Sequence, residues 1–414
     1  MKDPLAERGT LGEDLPRLPE FAFSTASVEF VHADPLNRYL TPEIFKTCFR
    51  DAKASGWISE ALSLIENRLP VPPSCEPFQL NSFYRLQRSN RSCCLSTITR
   101  DGKVTGPVIV VKGLEVFSPD FERFLQRLSR KPNLSLDLSQ IDHFPIIERK
   151  APGVLTLYEA IQEADIAMRI HARFKMSIDD LRFPLPIAVY GVGDIETERY
   201  LSIVRGLTTS YTNSVIESVC KGGLGVYVYL YPSVPLRVFN TEEKSLPESL
   251  ADHLTFLKST SDPELVMLRW CHNAARLFAM NMLPLTSLSS FTGNCFQENN
   301  AVLDGGFVDL DSCVEIQSCM SDGFVLDSID ASLYTLSATI FLYLSRSKLL
   351  IEQSRTAIHT IERFCFDRIA YELEADPERS ALDPRISSYF FEKSSVKRVR
   401  SFLGALMARY DVQN

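Results

Sequence analysis

Strand-like and helix-like patterns occupy different halves of this chain, and this division constrains its fold more than any other feature. Short β-branched runs precede residue 232, most clearly Pro107–Lys112, Leu185–Tyr190 and Gly225–Tyr231. Beyond that point apolar residues recur at helical spacing, as in Pro263–Met282. Because segregated strands and helices are typical of the α+β class, we predict an α+β protein with a β-rich N-terminal lobe and an α-helical C-terminal lobe.

Three segments follow from this division. Residues 1–20 are rich in Pro, Glu, Arg and Gly and are predicted to be a flexible tail. Residues 21–232 are predicted to form the N-terminal lobe with a helical extension, and residues 233–414 the helical C-terminal lobe. A chain of 414 residues has room for two domains at roughly 150 residues each.

The elements of the first lobe can be placed from local patterns. Phe83–Leu86 and Cys94–Thr99 precede Pro107–Lys112 as candidate strands, and Asp101-Gly102 is a hairpin signal. Helical periodicity predicts a long helix over Leu155–Phe174 and a second one from Ala331 to Leu350.

Composition excludes several classes of protein. The 44 basic and 52 acidic residues give a net charge of -8, which argues against general nucleic-acid binding. The apolar run Ala331–Leu344 is shorter than the ~20 residues needed to span a bilayer, so we predict a core helix and no membrane span. Without a secretory signal or any CxxC pair, the ten cysteines predict a cytoplasmic protein with reduced thiols.

One stretch, Phe291–Ser312 (FTGNCFQENNAVLDGGFVDLDS), concentrates polar residues around two short apolar segments. It predicts a hairpin that reverses at Asp304-Gly305-Gly306 and ends on two carboxylates. Because hard cations prefer oxygen ligands, this end of the hairpin is a candidate Mg²⁺ or Mn²⁺ site. The predicted ligands are Asn299, Asn300, Asp309 and Asp311.

Each of these features also has a purely structural explanation. Asp309 and Asp311 could belong to a solvated turn or cap the next segment, and Asn299-Asn300 could form an Asx turn. An Asp-x-Asp pair is also used by metal-dependent glycosyltransferases, although no alternating strand–helix pattern precedes Asp309.

Charged residues of the first lobe are candidates for binding phosphate. Lys112 ends a strand and could pair with phosphates and with Glu163 or Glu159 on the following helix, or it could lie exposed; Lys150 is the second choice for this role. Arg88 and Arg91 flank a tight turn, and arginine recognises phosphate through two hydrogen bonds. The glycine-rich run Lys221–Gly225 lacks the length of a phosphate-binding loop and is predicted to be a flexible turn.

Taken in order, these elements resemble the protein-kinase-like superfamily. Ile109-Val110-Val111-Lys112 stands in the place of the V-A-I-K strand, and Asp309-Leu310-Asp311 in the place of D-F-G. The segment Thr292–Asn299 matches the catalytic loop, with Asn294 where the catalytic Asp would stand. The chain has no Gly-rich loop between its first two strands and no A-P-E segment.

A second register of the loop is similar to the selenoprotein O branch, which transfers AMP to protein hydroxyls. In this register Asn300 and Asp309 would be the metal pair, Asn299 would replace an acidic residue, and the arginines at 88 and 91 would serve phosphates. The resemblance makes Asp309, Asn299 and Asp311 the candidates for catalysis.

The resemblance implies ATP or another nucleoside triphosphate with Mg²⁺ or Mn²⁺ as cofactors. We expect a transferase that moves a phosphoryl or AMP group to an unknown protein or small-molecule acceptor. The alternatives are an inactive pseudokinase that acts as a binding or scaffold protein, which Asn294 favours, and the Asp-x-Asp glycosyltransferase.

Overall fold

The computed structural model describes twelve stretches of the chain, namely residues 28–30, 83–85, 92–96, 108–113, 154–192, 194–207, 217–218, 220–232, 235–238, 262–285, 295–346 and 355–392. The chain divides into two compact units. The first comprises Met1–Pro235 and Ser245–His253, and the second comprises Leu236–Lys244 and Leu254–Asn414. The described residues form a mixed α/β structure, which is compatible with the predicted α+β class.

An antiparallel sheet forms the centre of the first unit. Its six strands have the order β1-β5-β6-β4-β3-β2. The strands are β1 (Val28–Phe30), β2 (Phe83–Arg85), β3 (Ser92–Ser96), β4 (Val108–Lys112), β5 (Leu185–Val192) and β6 (Leu224–Tyr231). Strand β4 lies between β3 and β6, which explains why its sequence is continuously apolar and β-branched.

Helix α1 (Leu157–Phe174) packs on this sheet. Its start is fixed by a capping box, because the Thr156 hydroxyl accepts from the Glu159 amide and the Glu159 carboxylate accepts from the Thr156 amide. It ends at Lys175, which adopts a left-handed conformation. The short helix α2 (Ile178–Leu181) and helix α3 (Asp194–Leu207) complete the described helices of this unit.

The strand pattern of the first unit is confirmed, with ends that differ from the prediction by a few residues. All described pairings in the sheet are antiparallel. Sequence analysis gave no element for β1 or α3. Strand β1 has three residues, too few for a period-two pattern, and α3 begins in a run of charged residues that hides its apolar face.

The second unit is mainly helical. It contains α4 (Pro263–Ala279), α5 (Asp322–Arg346), α6 (Arg355–Ala375) and α7 (Pro384–Phe391). Two short strands, β7 (Met282–Pro284) and β8 (Cys313–Glu315), follow α4 and precede α5 in the sequence. They pair with each other in antiparallel orientation. The buried indole of Trp270 packs edge-on against Tyr343 of α5 at 5.2 Å between ring centres.

Two predicted helix limits are wrong for identifiable reasons. Helix α4 ends at Ala279 instead of Met282, because Asn281 adopts a left-handed conformation with φ of 56° and a strand follows. Helix α5 begins at Asp322, upstream of the predicted Ala331. The Ser321 hydroxyl accepts from the Phe324 amide, so the polar first turns are helical although they carry no apolar stripe.

Helix α5 is the one described helix that is long and apolar enough to cross a membrane by length and composition. Of its most apolar window, 61% is buried inside the protein, as in the core helix of a globular domain. Two of its buried hydroxyls, those of Thr335 and Ser337, donate to carbonyls one turn earlier, and Thr339 donates to the Phe296 carbonyl. The predicted core helix is therefore confirmed within the described residues.

Candidate functional site

Lys112 and Glu163 form a buried ion pair in the first unit. The Lys112 Nζ lies 2.6 Å from Glu163 Oε2, and the two side chains are 4% and 0% exposed. Lys112 is the last residue of β4, and Glu163 faces it from α1. Burying both charges carries a desolvation cost of several kcal/mol per ion, which a close pair offsets only partly. Such a pair is therefore weak support for stability and favours a functional explanation.

Two glycines let α1 approach the sheet closely enough for this contact. A Cβ on Gly225 would lie 2.9 Å from Leu157 Cα and 3.0 Å from Ala160 Cβ. Gly113 has φ of +100°, and a Cβ there would lie 2.3 Å from the Gly225 carbonyl oxygen. Gly113, next to Lys112, therefore lies against Gly225, and Gly225 in turn lies against the start of α1, so this close approach depends on two residues without side chains.

The structure separates the two glutamates that sequence analysis kept as alternatives. Glu159 is buried, but its carboxylate closes the capping box on Thr156. Glu163 is the residue that pairs with Lys112. The Thr-x-x-Glu spacing of the capping box is visible in the sequence and already distinguishes their positions.

The predicted hairpin is present in the second unit. Ala301 and Phe307 form a bridge, and Val302 N donates to the Gly306 carbonyl. Val308 N donates to the Asn300 carbonyl, so the residue before the carboxylates is bonded to the asparagine at the hairpin entrance. Phe307 and Val308 are fully buried, as expected for a strand that directs the following residues inward.

Helix α4 holds the reversal of this hairpin through three consecutive carbonyls. Arg269, Trp270 and Asn273 donate to the carbonyls of Asp304, Gly306 and Gly305 at 3.4, 3.2 and 3.0 Å respectively. Gly305 is required, because it has φ of +94° and a Cβ there would lie 2.4 Å from the Arg269 Cβ. One face of α4 therefore fixes the turn that brings the two limbs of the hairpin together.

Asp309 and Asp311 converge at the end of the hairpin. Asp309 has φ of 66° and precedes the 3-10 turn Leu310–Ser312, in which Asp311 is 5% exposed. A carboxylate oxygen of each lies within 4.8 Å of the other. A left-handed conformation is uncommon for a residue other than glycine, and such backbone outliers cluster at functional sites. The two aspartates therefore lie on a turn with their carboxylates near each other.

The two asparagines at the hairpin entrance are placed differently. Asn300 is buried, and its side-chain Oδ1 accepts from Arg237 Nη1 at 3.4 Å. The side chain of Asn299 is exposed, and its backbone carbonyl accepts from the same nitrogen at 2.5 Å. Asn300 is thus the better placed of the two for ligation beside Asp309.

Two thiols lie next to the carboxylates. Cys313 Sγ donates to Cys295 Sγ at 3.5 Å, and both residues are fully buried. Burial, followed by the hydrogen bond with Cys313 and the nearby carboxylates of Asp309 and Asp311, raises the pKa of Cys295 well above its ordinary value. Cys295 therefore remains a thiol.

Several predicted residues lie outside the described stretches. These are Asn294, Lys150, Arg88 and Arg91. Within the Lys221–Gly225 run, Lys221 and Gly222 form an exposed turn before β6, as predicted.

Sequence analysis missed the side chains that support the hairpin. Arg237, Trp270 and Asn273 come from segments far from the hairpin in sequence, so no local pattern connects them to it. The only available signal was the polar Asn273, which breaks the apolar face of α4 and is 1% exposed in the structure.

Comparisons with protein-family models, curated proteins and solved structures found no match for this chain. The kinase-like resemblance therefore stays a prediction from the sequence motifs.

The donor set at the hairpin end fits a hard divalent cation. Two ligands of one Mg²⁺ ion at ~2.1 Å lie about 3 to 4 Å apart, a spacing that small side-chain rotations of Asp309 and Asp311 can provide. Carboxylates and an amide oxygen are the ligand types that Mg²⁺ and Mn²⁺ select, while zinc favours nitrogen and sulfur ligands.

Proposed function

We propose that this protein is a Mg²⁺- or Mn²⁺-dependent nucleotide-binding transferase of kinase-like fold, with a β-rich N-terminal lobe and a helical C-terminal lobe. It would move a phosphoryl or AMP group from ATP to an acceptor. The proposal places the protein in the cytoplasm and needs no nucleic-acid or membrane partner.

The observation that carries the proposal is the buried Lys112–Glu163 pair. In kinase-like enzymes the lysine that ends the third strand of the sheet must pair with a helix glutamate for activity. Lys112 was selected from its place at the end of a strand and from the kinase-like resemblance, and the 2.6 Å contact between its Nζ and Glu163 Oε2 supports that role. In the proposal this ammonium group contacts the nucleotide phosphates, and Glu163 holds it in place.

The hairpin of the second unit would supply the cation site. Asp309, Asp311 and Asn300 would hold the ion, which when bound neutralises the phosphate charge and orients the transferred group. Asp311 is the nearest candidate for accepting the acceptor's proton, because Asn294 cannot serve as a carboxylate base.

Calorimetric titration with Mg²⁺-ATP tests the proposal. We expect the wild type to bind and the double variant Lys112→Met/Glu163→Gln, which removes both buried charges together, to lose at least tenfold in affinity. Lys221→Met is the matched control, because Lys221 is an exposed lysine of the same unit. Absence of Mg²⁺-ATP binding by the wild type would refute the proposal.

The transferred group can be identified with labelled ATP. Label from the γ position on an acceptor indicates phosphoryl transfer, and label from the α position indicates AMP transfer. Asp309→Asn should abolish either one, while Asp327→Asn, an exposed aspartate on α5, should not.

The pseudokinase alternative is favoured by Asn294 in the sequence and by the absence of a Gly-rich loop between the first two predicted strands. It predicts nucleotide binding without label transfer from either position. The glycosyltransferase alternative has less support, because every strand pairing in the described part of the chain is antiparallel and a parallel nucleotide-binding sheet would pair otherwise.

A further inference from the structure

We propose that Arg237 is a positioning residue that sets the orientation of the Asn300 side-chain amide. The inference rests on the proposed function, in which Asn300 is a ligand of the cation, and it assigns to Arg237 the task of presenting that ligand.

The segment that carries Arg237 is bonded to the hairpin. Arg237 and Val302 form an antiparallel bridge. Val238 N donates to the Ala301 carbonyl at 2.9 Å, and Leu303 N donates to the Leu236 carbonyl at 2.8 Å. Residues 236–238 therefore run beside the first limb of the hairpin as an added strand.

From this strand, the Arg237 side chain reaches two consecutive residues at the hairpin entrance. Arg237 is 5% exposed, and its Nη1 donates to the Asn299 carbonyl at 2.5 Å and to Asn300 Oδ1 at 3.4 Å. The short contact fixes the backbone at Asn299. The longer one adds little energy, but it determines which end of the Asn300 amide faces the guanidinium.

The chemistry of the two groups makes this orientation unambiguous. A guanidinium only donates hydrogen bonds, so it must face the Oδ1 and never the Nδ2 of the amide. An amide oxygen has two lone pairs, so Oδ1 can accept from Arg237 and still offer the second lone pair to a cation. Without the arginine, the amide could rotate by half a turn and present a donor, which no cation can bind.

The structure also supplies a matched control. Arg346 donates from Nη1 to the Val238 carbonyl at 2.9 Å, so it supports the same strand next to Arg237. This contact is made to a backbone carbonyl of the strand. The variant Arg346→Ala therefore shows the effect of loosening the strand alone. The variant Arg237→Ala shows that effect together with the loss of the amide orientation.

The first test is independent of any ligand. In protein labelled with ¹⁵N only at asparagine side chains, Arg237→Ala should shift and broaden the Asn300 amide pair, assigned by its disappearance in Asn300→Ala. Arg346→Ala should leave that pair in place. An Asn300 amide that is unchanged in Arg237→Ala would overturn the inference, whether or not the protein binds nucleotide.

The second test measures Mn²⁺ affinity by electron paramagnetic resonance in the presence of ATP. We expect a five- to twentyfold loss for Arg237→Ala and for Asn300→Ala, no further loss in the double variant, and partial recovery in Arg237→Lys. The lysine variant keeps the buried positive charge and covers the case in which the alanine variant does not fold. The inference would be overturned if the Mn²⁺ affinity losses of the two single alanine variants multiply in the double variant. It would also be overturned if the Mn²⁺ affinity of Arg237→Ala lies within twofold of the wild-type value.

Failure of the proposed function gives a different result. Wild-type protein that binds no Mn²⁺ with ATP contradicts the transferase proposal, and with it the ligand role of Asn300. Wild-type binding that is insensitive to Arg237 contradicts only the positioning role.

Discussion

Breaking the Lys112–Glu163 pair from one side should destabilise the first unit far more than removing both charges. In Lys112→Met a carboxylate that is 0% exposed loses this ion-pair contact, and in Glu163→Gln an ammonium that is 4% exposed loses it. Removing one member of a buried pair typically costs about 3–5 kcal/mol, because the remaining charge stays desolvated after its oppositely charged neighbour is gone.

The double variant Lys112→Met/Glu163→Gln leaves no charge at this position. Replacing a buried pair by uncharged groups of similar volume is often neutral or stabilising. We therefore expect the double variant to lie within about 1 kcal/mol of the wild type, which gives a coupling energy of several kcal/mol between the two positions.

Urea unfolding, followed by circular dichroism and tryptophan fluorescence, measures the unfolding free energies of the wild type, the two single variants and the double variant. With a slope of about 2–3 kcal/mol per molar urea, each single variant should lower the midpoint by roughly 1–2 M, and the double variant should return towards the wild-type value. Thr156→Ala, which removes a cap of the same helix without touching the pair, is the control for general damage to α1. If the single losses are small, or simply add in the double variant, the pair is not the desolvated contact described here.

Four further results are expected. Gly225→Ala places a Cβ 2.9 Å from Leu157 Cα and should cost about 1–3 kcal/mol in urea unfolding, while Gly222→Ala, with no atom within 4 Å, should lie within about 0.5 kcal/mol of the wild type. Thr156→Ala removes the side-chain acceptor of the capping box and should cost about 0.5–2 kcal/mol by the same assay. Burial, with a smaller contribution from Glu159, raises the pKa of Cys220 to about 12, so iodoacetamide at pH 8 should label the exposed Cys319 much faster than Cys220 by mass spectrometry; equal rates would contradict the burial. The hydrogen bond from Arg385 lowers the pKa of Asp383 below its ordinary value of 3.8, so the ionised carboxylate stabilises the fold above that value and loses this effect as the pH falls through the lowered pKa. The difference in unfolding free energy between wild type and Asp383→Asn should therefore shrink in acid. A difference that does not change with pH would contradict the pairing.

The parts of the fold that follow local rules could be predicted from the sequence. Strand β4 and helix α1 carry strong periodicity, and each was placed to within two residues. The hairpin at Asp304–Gly306 follows from turn chemistry, because a glycine at a left-handed position is required there.

Elements without a local signal could not be found in this way. Strands β7 and β8 have three residues each and exist because they pair with each other across the hairpin. By contrast, the choice between Glu159 and Glu163 as the partner of Lys112 did have a local signal, because the Thr-x-x-Glu spacing from Thr156 assigns Glu159 to the capping box.

The supporting side chains of the candidate site were also beyond local reasoning. Arg237 contacts residues more than sixty positions later, and Trp270 and Asn273 contact a turn more than thirty positions later. Sequence reasoning named Asn299, Asn300, Asp309 and Asp311 as candidate metal ligands at the hairpin, but it did not find the side chains that contact the hairpin from other segments.

The dependence of ATP affinity on Mg²⁺ is the most direct test of the proposed function, in which the carboxylates of the hairpin hold the cation that accompanies the nucleotide. Titration of the wild type with ATP, with and without Mg²⁺, should show at least tenfold tighter binding with the ion, and this gain should be absent in Asp309→Asn. ATP affinity that does not depend on Mg²⁺, or a gain that survives in Asp309→Asn, would contradict the account.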